Sequence, residues 1–440
     1  MSDIDSQSNK IPAHAHYTLL LLLLTYVFNY VDRNIINVLI EPIKAEFGVS
    51  DTVLGLVSGL LFALFYAVMG LFMGRLSDKY SRSKLMGIYC VSWSALTMLC
   101  GAAVTFTHLA FARIGVAVTE AGSAPTSLSM IADLYPPRRR SFAIGVWSIG
   151  SHIGALIGMA FGGWVAYQYG WRAAFLAVGL PGILLGLLIY FTVKEPTRGK
   201  WDVAQKTEAK QPQEPIWRNV KSLLKNKTYA GICLGCAVAA LQAYSVGIWG
   251  TSFLMRSHGM TVQAAGLLLG LVAVAGAMLG TVFSGWLTDY LAAKDSGWQI
   301  GVPAVGLLIA TPAGIAYFLW PADTLFQVGA VAVPTAAIFA VIHGFFTTWW
   351  IAPNMAAISQ LIPSTNRAFA NAFFLLAFTF AGMGIGPIIV GVLSDLFEST
   401  YQIEALRYAM VVIVCTAFLS AIILALNIKG YKKALAEKDF

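Results

Sequence analysis

Residues 74–84 read GRLSDKYSRSK, a short turn with one acid, Asp78, among four bases. An apolar run over 52–75 leads into it and another over 84–104 leads out. Its first five residues return as GWLTD at 285–289, again directly after an apolar run. Farther along, IADLYPPRRRSFA (131–143) aligns with ISQLIPSTNRAFA (358–370), matching Pro136 to Pro363, Arg140 to Arg367 and Phe142 to Phe369. Each copy is followed by a glycine-rich apolar stretch, with Gly150, Gly154, Gly158, Gly162 and Gly163 in the first and Gly382, Gly384, Gly386 and Gly391 in the second. The chain therefore reads as two related halves, each crossing the same environment in the same order.

That environment is a bilayer. Hydrophobic residues make up 58% of the 440 and charged residues 11%, under half the roughly 25% usual in soluble domains. The apolar runs match the hydrocarbon thickness, which takes about 20 helical residues to cross. They number twelve: 17–41, 52–75, 84–104, 107–132, 141–167, 172–193, 228–255, 262–290, 299–320, 328–350, 366–395 and 404–427. They are too long, and alternate too little, for barrel strands; as helices each satisfies its own backbone in lipid. The fold class is an all-α membrane protein of twelve transmembrane helices in two pseudo-symmetric halves. The first run follows a single lysine and holds a charged pair, so it reads as a span and not as a cleaved leader.

The net charge of +8 reports orientation and not a nucleic-acid partner. If residue 1 is cytosolic, all but six of the 29 Lys and Arg fall on the cytosolic side. Lys44, Arg172, Arg256 and Arg407 fall opposite, and Arg33 and Arg113 lie inside spans. This is the positive-inside bias, and it places both termini in the cytosol of a multi-pass cell-membrane protein (an inner-membrane one if the compact chain is bacterial). The organisation is a tail over 1–16, a six-helix half over 17–193, a linker over 194–227, a second half over 228–427 and a tail over 428–440. The linker ends in PIWRNVKSLLKNK, whose apolar and basic residues at helical spacing predict a short surface helix. Cys233 and Cys236 form a C-x-x-C pattern on an apolar helix with no further ligands, which reads as packing. Likewise GMGIGP (382–387) follows no strand, which removes a dinucleotide reading.

Internal repeats of this size are a mark of transporters, with the site near mid-membrane and one half rocking against the other. The turn motif then reads as a latch of ion pairs that forms in one conformation and breaks in another. Its residues are Gly74, Asp78 and Arg82, with Asp133 and Arg140 nearby and Gly285 and Asp289 in the repeat. The glycines of span five, every four residues from Gly150 to Gly162, make a smooth face for close helix approach.

Four ionisable residues lie deep in spans: Asp32, Arg33, Arg113 and Glu120. On insertion scales each costs about 2.5–3.5 kcal/mol at a helix centre, and two acids with two bases sum to zero. Arg113 and Glu120, two turns apart, share a face, as do Thr25, Asn29 and Asp32 or Arg33. Adjacent Asp32 and Arg33 diverge by about 100° and so address different partners. The four are either a static packing network or a titratable site. In the second case, protonating Asp32 or Glu120 leaves a guanidinium to host a carboxylate or phosphate. The second half offers Gln242, Tyr244, Ser245, Trp249, His343, Thr347, Asn354 and Asn371 to a site, a more apolar and aromatic wall suited to a substrate with an anionic head and a greasy body. Trp349 and Trp350 read as interfacial anchors, and His343 as a packed, hydrogen-bonded ring.

The twelve spans, the six-plus-six repeat and the turn motif resemble the major facilitator superfamily. Within it, NYVDR (29–33), VSWSALT (91–97), ARIGVAVTEAGSAP (112–125), IADLYPPRRRSFAIG (131–145) and GWRAAF (170–175) resemble the Spinster family. The resemblance implies proton-linked transport of lysophospholipids or sphingosine phosphate-like lipids by alternating access. It implies Asp32 as the proton-sensing carboxylate, with Glu120 the partner of Arg113. Arg33 and Arg113 would bind or gate the anionic head, with Asn29, Thr25, Tyr244, Trp249, His343, Thr347 and Asn371 around the substrate. Val118 and Thr119 stand where a glycine is expected before the glutamate. Organic anion:cation symporters also share N-Y-x-D-R and the arginine–glutamate fourth span, but usually carry Trp where this chain has Asp133. A gradient-independent scramblase in the same fold would tolerate loss of Asp32, and a sensor would carry a soluble domain. An enzyme is excluded: the sequence has no Ser-His-Asp set, metal cluster or phosphate loop. No cofactor beyond a proton gradient, no metal and no nucleic-acid partner is expected, and the chain reads as a monomer in contact with membrane lipids.

Overall fold

The structure, a computed structural model, describes residues 11–201, 216–328 and 331–437. The first ten residues of the N-terminal tail, linker residues 202–215 and the last three residues lie outside the described residues. The helices follow the apolar runs in order. They are α1 (Ala13–Phe47), α2 (Asp51–Lys79), α3 (Arg82–Gly101), α4 (Phe106–Glu120), α5 (Ser123–Leu134), α6 (Pro137–Tyr169) and α7 (Trp171–Thr192). After the linker come α8 (Ile216–Lys225), α9 (Lys227–His258), α10 (Val262–Ala292), α11 (Trp298–Leu319), α12 (Ala336–Thr347), α13 (Ile351–Leu361), α14 (Ser364–Thr379), α15 (Gly386–Tyr401) and α16 (Ala405–Ala436). Nine stretches among the described residues are long and apolar enough to cross a membrane, and one of these, Phe369–Ala436, holds two successive spans.

Two spans expected as single helices are broken. The fourth divides at Ala121–Gly122 into α4 and α5. Pro125 sits in the first turn of α5, where its missing N–H leaves no intrahelical bond unmade. A Cβ on Gly122 would lie 2.4 Å from the Tyr89 ring. The tenth starts later than expected, because Phe326–Val328 and Val331–Val333 pair as a small antiparallel hairpin. It then divides between α12 and α13 around Thr348–Trp350. Helix starts carry ordinary caps: Thr105 accepts from His108 N (3.2 Å), Asn226 from Thr228 N and Tyr229 N (3.1 Å each), and Thr261 from Ala264 N (3.2 Å), each satisfying an amide the helix cannot.

The chain forms two compact units. The first comprises residues up to Leu39 and Leu64–Pro212; the second comprises Ile40–Ala63 and everything from Gln213. In the first unit, the glycine face of α6 lies against α1: a Cβ on Gly154 would come 2.3 Å from Val27 O, and one on Gly158 2.9 Å from Val31 O. Absence of side chains there seats the charged part of α1 directly on a helix backbone. Tyr26 of α1 stacks on Trp147 of α6, with centroids 3.9 Å apart.

In the second unit, α9 and α16 frame a core that includes Tyr229, Ile232, Phe374 and Leu424, and Ser420 Oγ donates to Gly235 O (2.7 Å). GMGIGP begins in a π-helical turn, Phe380–Ile385, and its last two residues open α15. Its Gly382 admits the Tyr244 ring, and Gly386 admits the backbone of Leu241. A second π-helical turn, Leu56–Leu61 in α2, packs in the same unit, with Gly59 against Pro387. Trp349 and Trp350 are 4% and 1% exposed. They are not the interfacial anchors expected but core residues, Trp349 among Phe283, Phe345 and Phe346 and Trp350 edge-on to Phe378. The chain break at 348–350 turns them inward. Leu223 of α8 is buried while Leu224 is 48% exposed.

Candidate functional site

The four intramembrane charges meet in the first unit. Glu120, at the end of α4, is fully buried, and its Oε1 accepts from Arg33 Nε (2.9 Å) and from Arg33 Nη2. The pairing is bidentate from the arginine side, a geometry that lysine cannot copy. The Arg33 guanidinium also lies over the rings of Tyr30 (5.1 Å) and Tyr66 (4.8 Å), contacts that stabilise a desolvated cation. Its side chain keeps 19% exposure against none for Glu120.

Arg113, the partner expected for Glu120, acts on it through charge, while the hydrogen bonds come from Arg33. Arg113, 1% exposed, directs Nη1 to the main-chain oxygen of Asp32 (3.1 Å). Asp32 is as deeply buried, and neither of its carboxylate oxygens closes a hydrogen bond among the described residues. Trp93 and Thr97 of α3 stand beside that carboxylate with their Nε1 and Oγ1 buried, the donors nearest to it. Asn29 is buried one turn before Asp32 and adjoins Glu120. Thr25 is buried, but its hydroxyl is taken by Leu21 O (2.7 Å).

The residues proposed from the second half lie in the second unit and are dispersed. His343 and Thr347 line a cavity of about 180 Å³ between residues of α9, α10, α11 and α12. Gln242 Nε2 donates to Thr347 Oγ1. Trp249 is fully buried and donates to Pro387 O (3.1 Å), so it packs away from that cavity. Tyr244 is half-buried against Gly382. Asn371 donates to Ser359 Oγ (3.0 Å), and Asn354 to Trp350 O (2.7 Å).

The turn motif builds its cluster around Arg82 rather than Asp78. Arg82 is 2% exposed and binds Asp133, Glu195 Oε1 (2.8 Å), Ser129 Oγ (2.9 Å) and Pro196 O (2.9 Å). Glu195 also accepts from Ser83 N (2.9 Å) and Ser81 Oγ (2.9 Å). Burial pushes the Glu195 carboxyl up, but the bonds from Ser83 N–H, the Arg82 guanidinium and Ser81 overcome it and hold it below the usual carboxylate range. The exposed Asp78 offers its main-chain oxygen, which with Ser77 O (2.8 Å) and Tyr80 O (2.7 Å) accepts from Arg198. Arg140 donates to Ala132 O (2.8 Å). A Cβ on Gly74 or Gly285 would meet nothing within 4 Å. Asp289 is exposed and forms no ion pair among the described residues, so the repeated motif is repeated in sequence more than in contacts.

Glu195 and Arg198 escape a sequence reading because they sit in a polar linker. A second cluster escapes it too, in the second unit. Asp51 accepts from Lys44 Nζ (2.6 Å), Arg256 Nη1 (2.6 Å) and Ser394 Oγ (2.7 Å), and Glu41 accepts from Arg256 Nε (3.0 Å). Asp395 caps α2 through the amides of Asp51 (3.0 Å) and Thr52 (2.9 Å). Only Lys44 and Asp51, seven apart around a glycine, leave a local signal; the other partners are some 200 to 340 residues away.

Residues 22–337 match the model of the Major Facilitator Superfamily, a family of transporters and not of enzymes. The chain is 31% identical to an MFS-type efflux pump of Mycolicibacterium smegmatis over 94% of this chain and 92% of that protein. It is 24% identical to a probable L-galactonate transporter of Escherichia coli (94% and 90% covered) and 24% identical to protein spinster homolog 1 of Xenopus tropicalis (91% and 78%). Among solved structures, it superposes on a bacterial homolog of the human lysosomal transporter Spinster, in an inward-facing and unoccupied conformation. That match has a TM-score of 0.84 at 28% identity, covering 96% of this chain and 98% of that one. The chain, a multi-pass membrane protein, belongs to the Major Facilitator Superfamily and is similar over nearly its whole length to Spinster proteins within it.

Proposed function

We propose that the protein is a proton-coupled secondary transporter of an amphipathic anionic lipid with one acyl chain, with both termini in the cytosol. The observation that carries this reading is the Arg33–Glu120 pair beside the buried carboxylate of Asp32. A proton on Glu120 neutralises the partner of Arg33 and leaves the guanidinium to an anionic headgroup, which binds it in the same planar, bidentate manner. Loss of the headgroup lets the carboxylate return. Proton and anion thus enter together because each removes the charge that the other would leave unbalanced in a low-dielectric site. Asp32, with Arg113 at its backbone, supplies a second proton acceptor. The likeness to Spinster structures supports a lipid as the body of the substrate.

A second reading is supported by the sugar-acid transporters of similar sequence: the same charges would serve a small organic anion. Purified protein in liposomes separates the two. Lysophosphatidylglycerol movement accompanied by acidification of a trapped pH dye is the expected result. Galactonate-driven acidification with no lysolipid movement selects the second reading, and proton-independent movement of either defeats both.

A further inference from the structure

From residue 216 to residue 288 the chain has no aspartate or glutamate, and its bases gather where α8 leads into α9. Arg218, Lys221 and Lys225 fall along one stripe of α8, and Lys227 opens α9. The opposite side of α8 presents Leu223, buried in a core of the second unit that also contains Tyr229 and Tyr431. Asn226, between the two helices, has an extended backbone, so the chain changes direction there and α8 is docked where α9 begins. The end of α16 adjoins the same place, since a Cβ on Gly430 would lie 2.9 Å from Thr228 Oγ1. Lys432 and Lys433 of α16 are answered by Asp295 (2.7 Å) and Glu437 (3.8 Å). Lys221, Lys225, Lys227 and Lys429 are exposed and have no ion pair or hydrogen bond among the described residues. Leu224, 48% exposed, sits beside Lys221 and Lys225.

We propose that α8, with the adjoining ends of α9 and α16, is a docking surface for the anionic phospholipid headgroups of the bilayer. A phosphodiester supplies the negative charge these ammonium groups lack, and each lysine meets it as a point charge with three donors. Leu224 selects a lipid over a soluble anion or an acidic protein. Against a bilayer it enters the acyl boundary while the bases stay at headgroup level, as in interfacial amphipathic helices. The placement agrees, because α9 is long and apolar enough to cross a membrane from Lys227 onward, which sets the surface at the depth of the headgroups. Orientation in the membrane asks only for bases on one side. It does not ask for a stripe without acids, flanked by an exposed leucine, on a helix that a second leucine docks. The surface is contained in the second unit and stands whether or not the charges of the first unit carry a substrate.

Hydrogen–deuterium exchange of the full-length protein tests it, in nanodiscs of phosphatidylcholine alone and of an equal mixture with phosphatidylglycerol. Amides of 216–227 should exchange about fivefold or more slowly in the mixture, the effect of a single lysine near an anionic surface, and raising salt to about 0.5 M should shrink the difference. Lys221→Gln, Lys225→Gln and Lys227→Gln combined should abolish it, whereas arginine at the same three positions should keep it. A response to phosphatidylglycerol exerted through Arg33 would survive the three glutamines. Equal exchange in the two compositions, a difference that salt leaves unchanged, or one that the glutamines leave in place would overturn the proposal.

Discussion

Glu120 has no exposed surface, and one of its oxygens takes two N–H groups of a single guanidinium. Replacing that guanidinium by an ammonium keeps the charge and loses the fork and the planar stacking on Tyr30 and Tyr66. Arg33→Lys should therefore leave a folded protein whose lysolipid transport falls about tenfold or more, measured as initial rate in liposomes. The presence of four buried charges was legible because burying charge in lipid is so unfavourable that few sequences do it without a use. Their pairing was not. A spacing along one helix settles which residues share a face, but not which face of α4 meets α1, and that rotation made Arg33 the hydrogen-bond donor to Glu120 and left Arg113 to act on it through charge. Glu195 lies outside the spans and yields a pH prediction. Its folded-state carboxyl titrates below an unfolded glutamate, near 4.3, so its contribution is fully present above that value and is lost as pH falls through the folded one. The thermal midpoint of the wild type should fall more steeply than that of Glu195→Gln between about pH 6 and pH 3. Parallel curves would remove Glu195 from the Arg82 cluster's energetics.

At the scale of elements, α6 makes the sharpest statement. Gly154 and Gly145 sit on one helix, yet a Cβ would strike the α1 backbone at the first and open space at the second. Gly154→Ala should destabilise by about 1–3 kcal/mol through overpacking. Gly145→Ala should be neutral or stabilise by up to about 1 kcal/mol through helix propensity. Thermal unfolding in detergent compares them directly, and equal effects would mean that α1 does not lie on this face. The glycine period was readable from sequence because a helix repeats every 3.6 residues. The breaks at Ala121–Gly122 and at Thr348–Trp350 were not, since hydropathy averaged along a span does not register a change of direction, and Gly122 and Pro125 are the local sign left at the first. The same break carried Trp349 and Trp350 from an expected interface into the core.

For the whole molecule, the duplicated motifs read from sequence mark two halves, while the contacts group residues 40–63 with the later part of the chain. The ties responsible are Asp51 to Arg256 and Asp395 to the start of α2, separated by more than 200 residues and invisible to any window along the chain. Arg256→Ala removes the two-nitrogen grip on Asp51 and should leave that carboxylate with Lys44 and Ser394 alone. A destabilisation of roughly 1–3 kcal/mol is expected for loss of charged hydrogen bonds at a partly wetted site, and an unchanged unfolding midpoint would show that residues 40–63 are held by packing instead.

The coupling of proton to anion through Glu120 is the centre of the account, and the pH dependence of binding addresses it without the complications of transport. Lysophosphatidylglycerol is suited to this because its phosphodiester keeps one negative charge across the neutral range. The groups facing Glu120 and Arg33 are Tyr30, Tyr66, Asn29, Asp32 and Arg113, so the comparison is made with Glu120→Gln, which leaves all of them in place. Wild-type affinity should tighten as pH falls, and the Glu120→Gln protein should bind with nearly the low-pH affinity at every pH. A variant that retained the wild-type pH dependence, or a wild type with none, would contradict the exchange of proton and headgroup at Arg33.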